Sequence, residues 1–273
     1  MSYTIPFHDP LPELSLAIDA ALKAGHVIMK IYKKGFKSKF KFDKEPITEA
    51  DIISNNIIQN IVSQYNYPIL SEESKDNKKR LSNKKVWIID PLDGTSDFVN
   101  KTGEFTVMIG LVTNHVPVIG IIYWPVKQIL YVAQQNKGSF QLFNGKWSKL
   151  STSNNSQLEE CRVTCSRHHL SDNEKKFLRF LKIKRQIHRG SSLKVIDVAS
   201  GSADLYFTTT SKIKHWDTCA SYCLIKEAGG KITDMLGKEI IYNTEDVQHA
   251  SGILVSNGLI HEKIISLYRQ FNK

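Results

Sequence analysis

Asp90 and Asp93 stand three residues apart within residues 86–95, read V-W-I-I-D-P-L-D-G-T. Two carboxylates about 4 Å apart repel by roughly 4 kcal/mol at an effective dielectric near 20. A fold keeps such a pair together when it shares a proton or a cation. Four apolar residues, Val86 to Ile89, precede the pair and read as a buried strand. Pro91 has no amide hydrogen and a fixed φ, so pairing is expected to stop there and the chain to turn. Gly94 opens backbone angles closed to other residues. Both carboxylates would then leave a rigid strand end into one tight turn, beside the Thr95 hydroxyl. Alone, the stretch reads equally as a solvated Asp-Gly turn, and further carboxylates must decide.

Three more acidic positions recur in similar settings. Thr48-Glu49-Ala50-Asp51 opens a helix with Thr48 as N-cap, and Asp51 falls in the first turn, where simple dipole electrostatics also explains it. Ser71-Glu72-Glu73-Ser74 follows the short strand Pro68-Ile69-Leu70, so one sheet edge could present both Glu72 and Asp90. Trp216-Asp217 opens a later helix, again with a carboxylate at its positive end. A different chemistry is suggested by Arg189-Gly190-Ser191-Ser192, which enters a helix. Free amides and hydroxyls at such a start suit an anion, although an ordinary serine cap reads the same way.

The elements that must position these groups follow from hydrophobic period. Helical spacing predicts a helix over 14–32, a basic loop or hairpin over 33–44, and a second helix from Thr48. Strands are expected over 105–112, 116–123 and 129–135, closing in a hairpin near Asn144-Gly145, an antiparallel meander. Polar residues 151–157 mark a lobe boundary. Beyond it strands (161–166, 185–188, 203–208, 231–233, 252–256) alternate with helices (172–181, 192–199, 217–228, 260–271), the pattern of an α/β lobe.

The chain has 273 residues, 41% hydrophobic and 23% charged, ordinary for a soluble globular protein. No apolar run approaches the ~20 residues of a membrane span. The first residues lack a basic then apolar leader pattern, so no signal peptide and a cytoplasmic location are expected. The net charge of +10 fits nucleic acid, an anionic membrane or a small polyanion. Its densest run, residues 75–85, carries no interleaved aromatics and reads as a solvated loop, which weighs against nucleic acid. Cys161/Cys165 and Cys219/Cys223 read as reduced core thiols rather than a zinc site.

In order, E-P-I-T-E-A-D, L-S-E-E-S, W-I-I-D-P-L-D-G-T-S-D-F and H-W-D-T-C-A resemble the inositol monophosphatase superfamily of magnesium-dependent, lithium-sensitive phosphatases. The motifs run from Glu45 to Ala220, with A-G-G at 228–230 extending them. Within it, G-E-F-T-V (103–107) and G-S-S-L-K (190–194) look like the bacterial 3′(2′),5′-bisphosphate nucleotidases. The resemblance implies a layered αβαβα sandwich of the sugar-phosphatase type, combining α+β and α/β character. Its lobes would be an antiparallel-sheet lobe (1–150) and a mixed-sheet α/β lobe (151–273).

Carried over, the resemblance makes Glu72, Asp90 and the Leu92 carbonyl ligands of one Mg²⁺, with Asp90, Asp93 and Asp217 holding a second. Asp51 and Thr95 would orient the attacking water, Asp51 also touching a third, weaker ion. The Gly94 and Thr95 amides would receive the departing phosphate, in a substrate site shared with Glu72, Leu92, Asp93 and Asp217. All-oxygen ligands select a hard cation, and two ions about 3.5–4 Å apart clamp an in-line displacement. Thr210 stands where inositol monophosphatases carry the glutamate that contacts inositol, which argues against inositol.

The expected substrate is therefore 3′-phosphoadenosine 5′-phosphate, with its 5′-phosphosulfate relative. Ser191, Ser192 and Lys194 are assigned to the 5′-phosphate. The alternatives are an inositol or fructose-1,6-bisphosphate phosphatase and, from another class, a basic RNA-binding protein with a decayed site. A monomer or homodimer, with at most peripheral contact to the cytoplasmic face of the inner membrane, completes the expectation.

Overall fold

The computed structural model describes residues 4–40 and 46–273, so Glu45 and residues 41–44 of the expected 33–44 loop lie outside it. The chain begins with α1 (Pro12–Lys34), then the antiparallel pair β1 (Ser38–Phe40) and β2 (Pro46–Thr48), and α2 (Glu49–Val62). Next come β3 (Ile69–Ser71), β4 (Lys85–Asp93) and the short α3 (Thr95–Val99). The meander is β5 (Thr106–Thr113), β6 (Val116–Trp124), β7 (Ile129–Gln134), β8 (Gly138–Phe143) and β9 (Lys146–Lys149). Alternation follows in β10 (Arg162–Ser166), α4 (Asp172–Phe180), β11 (Arg185–Arg189), α5 (Leu193–Ala199), β12 (Leu205–Thr208) and α6 (His215–Glu227). β13 (Lys231–Thr233), β14 (Ile253–Ser256) and α7 (His261–Phe271) end it.

β3 to β9 form one sheet in sequence order, with β3 parallel to β4 and the remaining pairs antiparallel. The second sheet is mixed, in the order β11-β10-β12-β14-β13. Side-chain parity explains the layering. In β4, Trp87 and Ile89 join the core shared with α1 and α2, while Val86 and Ile88 join the core shared with α5 and α6. In β12, Tyr206 faces that same middle core, whereas Leu205 and Phe207 face a third core with α4 and α7. A strand covered on both faces must be apolar at every position, which is why these runs are unbroken. The layers are thus α1/α2, sheet, α5/α6, sheet, α4/α7, the expected αβαβα sandwich.

Close approach sets where α6 sits. A Cβ on Gly110 would lie 2.4 Å from the Cys219 sulfur, and one on Gly120 2.3 Å from the Ala220 carbonyl oxygen. Both strands therefore need glycine to seat the helix that carries Asp217. All four cysteines are free and buried in these cores.

Two expectations are corrected. The run 75–85 is not a uniformly solvated loop: Arg80 is 1% exposed, paired with Asp76 at 2.8 Å, and donates to Asn243 and to the Thr244 carbonyl. A guanidinium carries several donors, and this one is buried because all its partners converge on it. The chain also does not leave the sheet at Pro91. β4 continues to Asp93, with a register irregularity between Asp90 and Asp93. Of the 33–44 segment, Lys33 and Lys34 form the last turn of α1, because the helix runs two residues further than its apolar stripe, and residues 38–40 are β1, paired antiparallel with β2. Among the described residues no helix is long and apolar enough to cross a membrane.

Candidate active site

The irregularity in β4 builds the centre of the site. Asp90 pairs with Met108 and Asp93 with Thr106, so β4 spends one residue more than β5 over this interval. Such a bulge shifts side-chain parity by one. Leu92 consequently packs toward α1 and α2, while both Asp90 and Asp93 are turned to the α6 side. Pro91 suits a bulge because it has no amide to pair. Its carbonyl accepts the Ser54 hydroxyl of α2 at 2.7 Å.

The other carboxylates arrive from three directions. β3 runs parallel to β4, pairing Ser71 with Ile89, and the Glu72 amide donates to the Ile89 carbonyl at 3.2 Å, which sets Glu72 beside Asp90. Asp217 caps α6 by accepting the Lys214 amide at 2.6 Å. Asp51 sits in a capping box, accepting the Thr48 amide at 2.8 Å and hydroxyl at 2.6 Å. Its other oxygen accepts the Thr95 hydroxyl at 3.0 Å.

One cavity of about 710 Å³ is lined by Glu72, Asp90, Asp93 and Asp217. Leu92, Gly94, Thr95, Ser191, Ser192 and Lys194 line it too. Every residue expected at the site is therefore gathered there except Asp51, which stands behind Thr95 and reaches the cavity through that hydroxyl. Burial pushes Asp90 well above the usual carboxylate range, and Glu72, Asp93 and Asp217 push it further. Asp217 is raised well above its usual range by burial and Glu72. Burial also raises Asp93 and Asp51, against Lys194 in the first case and the Thr48 and Thr95 bonds in the second. Lys194 is lowered by burial, which the surrounding carboxylates oppose.

Among the described residues no three acidic, histidine or cysteine side chains are already drawn into an ion cage. Glu72, Asp90, Asp93 and Asp217 form an all-oxygen donor set whose members repel one another. That chemistry fits hard divalent cations.

Ser192 lines the cavity with its polar groups already engaged. Its amide is not free for a ligand but donates to Asp93, and its hydroxyl bonds that of Thr106 at 2.7 Å. The anion at this helix start is the protein's own carboxylate. Ser192 also makes no side-chain cap. Lys194 donates to the Ser191 carbonyl oxygen.

Several lining residues escaped the sequence reading. His168 follows β10 and bonds Asp97 at 3.1 Å, while Lys212 and Lys214 precede α6. Their signal was position, since each lies just outside a strand or helix end that faces the site.

The inositol monophosphatase family model matches residues 9–273. The chain belongs to the inositol monophosphatase family. As a member of that family it is a phosphatase, and its relatives in the family are generally metal-dependent. It is similar to a protein of Buchnera aphidicola subsp. Acyrthosiphon pisum named 3′(2′),5′-bisphosphate nucleotidase CysQ, 36% identical over 82% of this chain and 84% of that one. It is also similar to a Thermotoga maritima protein named fructose-1,6-bisphosphatase/inositol-1-monophosphatase, 29% identical over 95% and 97%. Among solved structures, CysQ from Bacteroides thetaiotaomicron superposes with a TM-score of 0.78 at 33% identity, covering 89% of this chain and 97% of that one.

Proposed function

We propose that this chain removes the 3′-phosphate of 3′-phosphoadenosine 5′-phosphate, giving AMP and phosphate, and accepts the 5′-phosphosulfate relative in the same way. The observation that carries this reading is the composition of the cavity. The carboxylates of Glu72, Asp90, Asp93 and Asp217 and the cations Lys194, Lys212 and Lys214 face the same space. A substrate with one phosphate to cleave and a second anionic group to hold uses both sets. A volume of about 710 Å³ is within the usual size of a small-ligand site. The name of the Buchnera relative, a 3′(2′),5′-bisphosphate nucleotidase, supports the same substrate class. Thr210 lining the cavity supports it against inositol.

In this reading Glu72, Asp90 and the Leu92 carbonyl would hold one Mg²⁺, Asp90, Asp93 and Asp217 a second, and Asp51 would touch a third. When bound, the ions supply Lewis-acid polarisation and an easily deprotonated water. Thr95 accepts a hydrogen of the attacking water while its own hydroxyl hydrogen points to Asp51, which burial makes a better base than a solvated aspartate. Gly94 and Thr95 amides orient the phosphate being removed. Lys194 and Ser191 hold the 5′-phosphate. Residues 1–150 and 151–273 act as two lobes, the first giving most acidic groups and the second Lys194 and Asp217.

A phosphate-release assay tests this, comparing 3′-phosphoadenosine 5′-phosphate with inositol 1-phosphate and fructose 1,6-bisphosphate, with and without Mg²⁺ and Li⁺. The expected result is a preference of about tenfold or more in kcat/KM for the nucleotide, dependent on Mg²⁺ and inhibited by Li⁺. Preference for the inositol or fructose ester overturns the substrate assignment.

A further inference from the structure

Glu104 belongs to the G-E-F-T-V stretch just before β5, does not line the cavity, and is 8% exposed. Its carboxylate is nonetheless surrounded by donors from the second sheet. Arg167 donates to Oε2 at 3.1 and 2.9 Å, the Gly190 amide to the same oxygen at 2.7 Å, and Arg189 to Oε1 at 3.2 Å. Burial alone would raise its pKa; these donors outweigh that and hold it below the usual range. It is a fixed anion at this position.

The segment it grips has little freedom. A Cβ on Gly190 would lie 2.2 Å from an Asp97 oxygen and 2.8 Å from the Glu104 carbonyl oxygen. Ser191 follows with φ +49°, a left-handed conformation uncommon for a residue with a Cβ. The amides on either side of that strained residue both end on carboxylates: Gly190 on Glu104, Ser192 on Asp93. Ser191 in turn receives the Lys194 ammonium on its carbonyl oxygen. Releasing the Glu104 end would let Ser191 relax toward an ordinary φ, and Lys194 would move with its acceptor. Asp93 would keep its bond from Ser192.

We propose that Glu104 is a positioning residue, anchored by Arg167 and Arg189, which fixes the Gly190–Ser191 turn and thereby sets the place of Lys194 for the substrate's second anionic group. This rests on the reading that Lys194 meets that group. It gives the two arginines a role in substrate choice although neither lines the cavity.

The test is Glu104→Gln, which keeps shape and one acceptor but removes the charge, assayed on 3′-phosphoadenosine 5′-phosphate and on adenosine 3′-phosphate, which lacks the second phosphate. KM for the bisphosphate is expected to rise about tenfold, the usual loss for a charged hydrogen bond, with kcat nearly unchanged. Both constants for the monophosphate should stay within about twofold of wild type. A merely structural role would lower kcat on both substrates together, and that result, or an unchanged bisphosphate KM, overturns the proposal. The wild-type arm reads the underlying assignment alone. A wild type indifferent to the second phosphate defeats that assignment and this inference with it. A wild type that prefers the bisphosphate, with a variant that keeps the preference, defeats only the role of Glu104. If Glu104→Gln does not fold, Arg167→Gln decides, since it leaves the Glu104–Gly190 bond in place and should shift the bisphosphate KM alone by a smaller factor.

Discussion

Replacing Asp90 by Asn should make the metal-free protein more stable and the enzyme inactive. Asp90 is 1% exposed, and Glu72, Asp93 and Asp217 all disfavour its charge. At about 6 Å and an effective dielectric near 20, each such pair costs roughly 3 kcal/mol when both members are ionised. Proton uptake limits the penalty, so a net gain of about 1–3 kcal/mol is expected at pH 8 in chelator. Asn keeps an oxygen that can accept the Leu92 amide, which Asp90 holds at 3.0 Å. That makes it a cleaner probe than Ala.

The pH dependence carries a definite sign. A carboxyl whose folded pKa is raised binds more protons folded than unfolded, so wild-type stability in chelator is full below the ordinary pKa of 3.8 and falls as pH rises through the folded value. The advantage of Asp90→Asn should therefore grow with pH. In a thermal melt it amounts to about 3–8 °C at pH 8. In magnesium the order reverses, because wild type gains a ligand that the variant holds poorly. Turnover should fall by about a thousandfold, equivalent to about 4 kcal/mol. A variant less stable than wild type in chelator at pH 8, or one that keeps both its magnesium shift and its turnover, refutes the carboxylate-cluster account.

Lys194→Ala should raise KM for the bisphosphate by about tenfold while kcat stays nearly intact; unchanged kinetics remove Lys194 from the substrate site. Thr95→Val deletes the hydroxyl bonded to Asp51 and should lower kcat by about a hundredfold with little change in KM, read by steady-state phosphate release. His261 is fully buried between Thr233 and Ser256, and burial pushes its pKa down to about 4. The stability it contributes is complete above the unfolded value near 6.5 and is lost as pH falls through 4, a loss of up to about 3 kcal/mol. His261→Gln should lower Tm at pH 7 yet flatten the acid limb of the Tm–pH curve. Parallel limbs for the two proteins exclude His261 as a source of acid sensitivity.

Much of the molecule is legible along the chain because its signals are local. The unbroken apolar runs of β4, β5 and β6 announce strands covered on both faces, and Thr48 with Asp51 announces the start of α2 within four residues. The hairpin at Asn144-Gly145 follows from two residues that accept positive φ. The acidic motifs and their order point to the inositol monophosphatase family, and strand ends and helix starts place each carboxylate where others could join it.

Contacts between distant segments supply the rest. Proline at 91 looks like an exit from the sheet, but β5 continues to pair beyond it, and the resulting bulge turns Asp93 to the same side as Asp90. Ser192 looks like a cap open to a ligand until Asp93, 99 residues away, takes its amide. Arg80 sits in the most basic run of the chain, yet its partners Asn243 and Thr244 lie more than 160 residues on and bury it. Glu104 stands in the G-E-F-T-V stretch, but nothing nearby in sequence shows what it holds, since Arg167, Arg189 and Gly190 reach it only across the two sheets. Backbone preference and hydrophobic period are set within a few residues, so they can be read in order. Which buried polar group satisfies which other one is settled only when the layers pack, because an unpaired charge in the interior costs more than any local preference can repay.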